Sequence, residues 1–173
     1  MEQGHFYFIK DDFYTIHDKE QKLMRNKDII NEMEHRRPCF YAFRDHKIAE
    51  IFWFVPISSK LNKYTGIYNA KLQRQKENAN KIPKCNTICF GEVMGYPRVF
   101  LIQNIFPIIG KYIESVYIDN NTKKPVTIEP LIERMIINNS KDILRLVNHG
   151  HHNLVFFDII KIYNDLCAEL KNK

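Results

Sequence analysis

Glycine is scarce, with six in 173 residues; tryptophan occurs once; and none of the four cysteines stands in a C-x-x-C pair. Gly91 and Gly95 flank too short and irregular a stretch for a phosphate loop, and no dinucleotide fingerprint is present. Cys39, Cys85, Cys89 and Cys167 suggest neither a disulfide framework nor a zinc ribbon, so a reducing cytoplasm is expected. Cys85-x-x-x-Cys89 lies in an apolar stretch that reads as a strand, where cysteine serves as a small hydrophobe, and neither a metal nor another cofactor is expected. The longest apolar run, Ile51 to Ile57, is far short of the roughly 20 residues that span a bilayer. Met1-Glu2-Gln3-Gly4 leads into no signal segment. Repeats, low-complexity tracts and linkers are also lacking. These absences leave a single soluble domain over residues 1–173, long enough to bury roughly 70% of its unfolded surface in one core.

Positive charge is present, and its placement is informative. Lys60, Lys63, Lys71, Arg74, Lys76, Lys81 and Lys84 face one acidic residue, Glu77, whereas the rest of the chain holds 19 basic and 19 acidic residues. The entire net charge of +6 therefore sits in one segment. Such a concentration suits a surface that tracks a phosphate backbone, or a solvated helix face.

Along the chain, His5 to Lys10 reads as a strand ending at Asp11-Asp12, followed by a loop and short helix within His17 to Glu34. Cys39 to Phe43 and Ile48 to Ile57 read as a central hairpin around Arg44-Asp45-His46-Lys47. From Lys60 to Asn78, Leu61, Tyr64, Ile67, Tyr68 and Leu72 recur at helical steps. Asn86 to Val93 and Arg98 to Ile105 flank a turn at Met94-Gly95-Tyr96-Pro97. Lys123 to Ile128 follows a turn signal at Asp119-Asn120-Asn121. Pro130 opens a helix to about Asn148, with Leu131, Ile132, Met135, Ile136, Ile143, Leu144 and Val147 as its buried stripe. Leu154 to Phe157 reads as a short strand, and Asp158 as the cap of a last helix. The pattern is α+β, a small mixed barrel with helices around it.

Metal-free RNA cleavage by the adjacent 2′-hydroxyl needs a proton acceptor, donors for the charge on the phosphate, and an acid for the leaving 5′-oxygen. Arg36-Arg37-Pro38 opens one strand and Pro56-Ile57-Ser58-Ser59-Lys60 ends the next, so an antiparallel hairpin brings these segments together. Arg37, Ser58, Ser59 and Lys60 are the candidate catalytic groups beside a nascent helix N-terminus. Ser58 as a helix cap and Lys60 as a solvated side chain is the alternative. His35, Arg36, Lys63, Tyr64, Lys71, Arg74, Arg98 and Asn104 are the candidate RNA contacts. Gln103 could equally read a base or satisfy a turn, and His149, His151 and His152 lack acidic companions that would favour a metal.

The order Arg37-Pro38, aromatic strand, charged turn, second strand and Pro56-Ile57-Ser58-Ser59 resembles the MazF/Kid ribonuclease toxins. A closer resemblance rests on Arg37-Pro38-Cys39-Phe40-Tyr41-Ala42-Phe43, Val55-Pro56-Ile57-Ser58-Ser59-Lys60, Lys63-Tyr64, Phe90-Gly91-Glu92-Val93-Met94-Gly95 and Phe100 to Pro107. These blocks look like the CptN branch of the type III toxin-antitoxin toxins, relatives of ToxN and AbiQ. The resemblance implies a compact MazF/Kid-like, SH3-like antiparallel β-barrel core surrounded by helices. It also implies a metal-independent endoribonuclease that cuts single-stranded, A-rich RNA to a 2′,3′-cyclic phosphate. The implied partners are cellular mRNA and a pseudoknotted antitoxin RNA, which the toxin processes and which assembles with it into a closed complex. The implied setting is the bacterial cytoplasm, in phage defence. By position, Ser58 and Ser59 match the Thr-Ser pair of ToxN, and Arg37 matches the strand-opening Arg of MazF. Cys39 stands where ToxN has a lysine, which leaves the general acid and base open among Arg37, His35, Lys60 and Lys63. A non-catalytic RNA-binding module is the rival reading, and a zinc-dependent enzyme a distant third.

Overall fold

The structure, a computed structural model, describes residues 1–24, 27–30, 33–78 and 83–172, without the side chains of 28–30, 33–35 and 78. Strand β1 (Phe6–Ile9) is followed at once by helix α1 (Asp11–His17). Asp11 and Asp12 occupy the first turn of α1, where carboxylates meet the positive end of the helix dipole, so the acidic pair starts an element as well as ending one. Of the loop and short helix expected within His17 to Glu34, residues 18–24 are loop as expected, whereas in place of the helix the described residues form an antiparallel pair, β2 (Lys27–Ile30) and β3 (Met33–Arg36). Charged residues break the apolar alternation there, and pairing rather than pattern makes the strands.

The central hairpin is β4 (Cys39–Arg44) and β5 (Ile51–Ser58), registered from Cys39↔Pro56 to Arg44↔Phe52 with an irregularity at Ala42. All eight residues of β5 are buried, and both of its edges are paired. Helix α2 (Leu61–Asn78) leaves the end of β5. It leads to a second hairpin, β6 (Cys89–Val93) and β7 (Tyr96–Phe100), then β8 (Phe106–Ile109) and β9 (Ile113–Val116). Helices α3 (Pro130–Asn148) and α4 (Ile159–Lys171) complete the fold, and the Asp158 carboxylate caps α4 by accepting from the Lys161 N–H at 2.9 Å.

The seven-stranded sheet runs β6-β7-β5-β4-β1-β9, with β8 also on β5. The closed barrel is not formed. One edge of β5 is divided, β8 taking Ile51 to Phe54 and β7 taking Ile57 and Ser58, so the sheet forks instead of closing. Pro56, which has no N–H to give a ladder, sits between the two partners, and its carbonyl accepts from Leu101 at 2.9 Å.

Four further expectations change. The strand expected from Arg98 to Ile105 ends at Phe100, and Ile102–Asn104 is a 3-10 turn inside the core; a short apolar run does not distinguish the two. The segment from Lys123 to Ile128 contributes one isolated bridge, Ile118↔Pro125, and Leu154 to Phe157 holds the end of a 3-10 turn and the exposed Phe156. On α3, Ile136, Ile143 and Val147 are buried as expected, whereas Leu131 and Met135 are exposed.

Phe6, Phe40, Phe54, Phe100 and Phe106 are fully buried at the centre, several edge to face, each worth about 2–3 kcal/mol of burial. A smaller core of Tyr64, Cys85, Ile88, Val99 and Leu101 joins α2 to β7. Among the described residues no helix is long and apolar enough to cross a membrane.

Candidate active site

The register Cys39↔Pro56 brings Arg37, two residues before β4 begins its pairing, to the end of β5 that carries Ser58. On its other edge Ser58 pairs with Val99 of β7. The Ser58 hydroxyl is buried and accepts the Lys60 N–H at 3.2 Å, a local turn that aims the chain into α2. It retains its own proton for donation. The Leu61 N–H then bonds the Ser59 carbonyl at 2.9 Å, leaving the Ser59 side chain exposed beside the first turn. Lys60 and Lys63 are exposed, and Lys63 lies 5.5 Å from the centre of the Tyr64 ring.

Arg37 is half-buried, and its charge reaches the Tyr14 and Tyr64 hydroxyls and the Cys39 thiol. Burial raises the pKa of both tyrosines, and Arg37 opposes it. Burial likewise pushes the Cys39 thiol up to about 12, again against Arg37. Cys39 therefore stays a neutral, enclosed thiol at physiological pH and cannot stand in for a lysine. The Tyr14 hydroxyl lies beside this thiol and interacts with it, which makes Tyr14 a neighbour of this site that sequence reasoning did not single out. Its signal is the Asp11-Asp12 helix start, which carries Phe13 and Tyr14 inward.

Not all of the candidate RNA contacts face this site. Arg36 is ion-paired with Glu114 of β9 and stacks over Phe8 at 4.4 Å, so its charge is already matched on another part of the sheet. Lys71 donates to Thr87 at 2.7 Å and to Gln103 at 2.8 Å, bracing α2 against the core. Desolvation lowers the Lys71 ammonium pKa, which fits this inward placement and not a solvated phosphate contact. Asn104 is 8% exposed within its 3-10 turn, which removes it from the accessible surface. Arg98 is half-buried, with its guanidinium 5.4 Å from the Tyr96 ring, and Arg74 is exposed on α2. The side chain of His35 and the whole of Lys81 lie outside the described residues.

The accessible group thus consists of Ser59, Lys60 and Lys63 in front of Ser58 and Arg37. It supplies hydroxyls and cations, the groups that bind and stabilise a phosphate. A scan against models of known protein families finds no match, and a search of curated proteins finds none.

Proposed function

We propose that the protein is a metal-independent endoribonuclease toxin of the type III kind, built on a MazF/Kid-like core and acting on single-stranded, A-rich RNA. The supporting observation is the junction of β4, β5 and α2, where Arg37, Ser58, Ser59 and Lys60 share one strand end at the root of the basic helix. The 2′-oxygen forms a bond to phosphorus as its proton passes to a water molecule, the bond from phosphorus to the 5′-oxygen breaks, and that oxygen takes a proton back from water. The products are a 2′,3′-cyclic phosphate and a 5′-hydroxyl.

In this reading Ser59 donates to a phosphate oxygen, and Lys60 and Lys63 neutralise the charge that grows on it. Ser58 is a positioning residue, since its hydroxyl oxygen already holds the turn. Arg37 stabilises the developing charge from behind the serines. Antitoxin RNA would occupy the same groove as a pseudoknot that the toxin has processed, within a closed complex in the bacterial cytoplasm.

The burial and local bonding of Ser58 equally suit a non-catalytic RNA-binding module. End-labelled A-rich RNA incubated with the purified protein in excess chelator separates the two. Cyclic-phosphate ends support the enzyme; intact RNA that is nonetheless bound supports the module and overturns the proposal.

A further inference from the structure

At the opposite end of the same hairpin, up to about 20 Å along β5 from Ser59, lies a cavity of about 660 Å³. Its volume is within the range of about 300–1,000 Å³ that holds one small ligand. Phe43, Trp53 and Tyr163 form its aromatic wall; Trp53 and Tyr163 are stacked with centroids 6.0 Å apart and planes 12° from parallel. Lys47 from the β4–β5 turn and Lys141 and Arg145 from α3 stand at the rim, all exposed. Lys141 lies over Phe43 at 5.5 Å, so a cation already meets the aromatic surface.

The acidic residue in this lining is Asp45, and its carboxylate is committed. One oxygen accepts from the N–H groups of Lys47 and Ile48 and from the Tyr163 hydroxyl, and the other from the Trp53 indole, all within 2.9–3.0 Å. Arg145 meets Asp142 at 3.5 Å, but that pair is exposed and Asp142 lies outside the cavity, so the guanidinium is readily drawn to a stronger anion. An apolar, aromatic pocket with a cationic rim calls for a ligand that is flat at one end and anionic at the other.

We infer that this cavity is a nucleotide-binding site, taking a base against Phe43, Trp53 and Tyr163 and a phosphate against Lys141 and Arg145. The nucleotide is either free or one residue of an RNA strand. The inference stands on the cavity alone and survives or fails independently of the cleavage proposal.

Trp53 is the single tryptophan of the chain, so its emission reports on this cavity directly. Adenosine monophosphate is titrated with excitation at the red edge of indole absorption, where the base is transparent. The expected result is a saturable change, absent with inorganic phosphate and weakened about tenfold in Lys141→Ala and in Arg145→Ala. Both residues are exposed on α3, and near-ultraviolet circular dichroism verifies that the variants remain folded. A second arm titrates an A-rich oligoribonucleotide into the Ser59→Ala protein, the variant that the cleavage proposal expects to turn over slowly. Tighter binding of the oligonucleotide than of the mononucleotide, weakened by the same rim variants, identifies a strand as the occupant; equal or weaker binding identifies a free nucleotide. A silent Trp53 with both ligands overturns the inference, as does a response that both alanine variants leave unchanged. Cleavage with a silent Trp53 removes the cavity and keeps the enzyme, whereas a response without cleavage does the reverse.

Discussion

The two ends of the β4–β5 hairpin are built from similar residue types but in opposite ways. At the Ser58 end, the Ser59 hydroxyl and the Lys60 and Lys63 cations are exposed in front of a buried Ser58, and the aromatic groups Tyr14 and Tyr64 are buried as well. At the Asp45 end, the aromatic rings line an open cavity and the carboxylate is enclosed by four donors. An exposed cluster of donors can act on a strand that passes over it; a walled cavity retains what enters. If both proposals hold, one hairpin would separate contact with a scissile phosphate from retention of a base.

The largest effect that would break this comparison is at Ser59. Ser59→Ala should lower cleavage of A-rich RNA by about 10²–10³-fold, the usual loss of one donor to a developing oxyanion. Its exposure keeps the change in stability within about 0.5 kcal/mol. Ser58→Ala should differ in kind, losing about 1 kcal/mol of stability as well, because the Lys60 N–H loses its acceptor. Single-turnover cleavage and urea unfolding of both variants provide the measurement. Full cleavage by Ser59→Ala removes the catalytic role from this end.

A smaller effect tests the Asp45 end. Burial raises the Asp45 pKa, but the hydrogen bonds from Trp53, Ile48, Lys47 and Tyr163 together outweigh it, and the carboxyl titrates below its ordinary value. Its folded pKa lies under its unfolded one, so its stabilisation is present above the unfolded value of about 3.9 and disappears as pH falls through the folded value. Asp45→Asn should cost about 2 kcal/mol near neutrality, since the amide nitrogen cannot accept the bonds its oxygen predecessor held. Below pH about 4 the difference from the native chain should shrink. Urea midpoints across that range, followed by Trp53 emission, reveal it. A constant difference would mean that the carboxylate charge contributes nothing there.

The contrast between the two ends was only half visible in the sequence. The hairpin itself is legible because a charged turn separates two apolar runs, and α2 and α3 are legible because their apolar residues recur at helical steps. The Ser58 end follows from that hairpin, since antiparallel pairing obliges Arg37 and Ser58 to meet. The cavity at the other end does not follow. Trp53 and Tyr163 are 110 positions apart, and nothing local says that α4 brings them into a stack. The same limit hides the inward placement of Lys71, whose partners Thr87 and Gln103 belong to other segments. The barrel failed to close for a related reason, because the division of β5 between β7 and β8 depends on which strands return to it.

The smallest effect sharpens the comparison by stiffening one end while leaving the chemistry of both alone. β7, which pairs with Ser58, is joined to β6 by the two-residue turn Met94-Gly95, both at positive φ, +53° and +77°. That is the backbone of a type I′ turn, which asparagine followed by glycine fits best. Met94 has a side chain that disfavours this region, and it is 40% exposed, so little packing holds it there. Met94→Asn should therefore stabilise the fold by about 0.5–1 kcal/mol, and Gly95→Ala should destabilise it by a similar amount, both measured by urea unfolding. Neither substitution should shift mononucleotide binding reported by Trp53. If Met94→Asn raises stability and also changes cleavage, the β6–β7 hairpin sets the position of the Ser58 turn; if it changes Trp53 binding as well, the two ends are coupled through β5 and are not the separate sites described above.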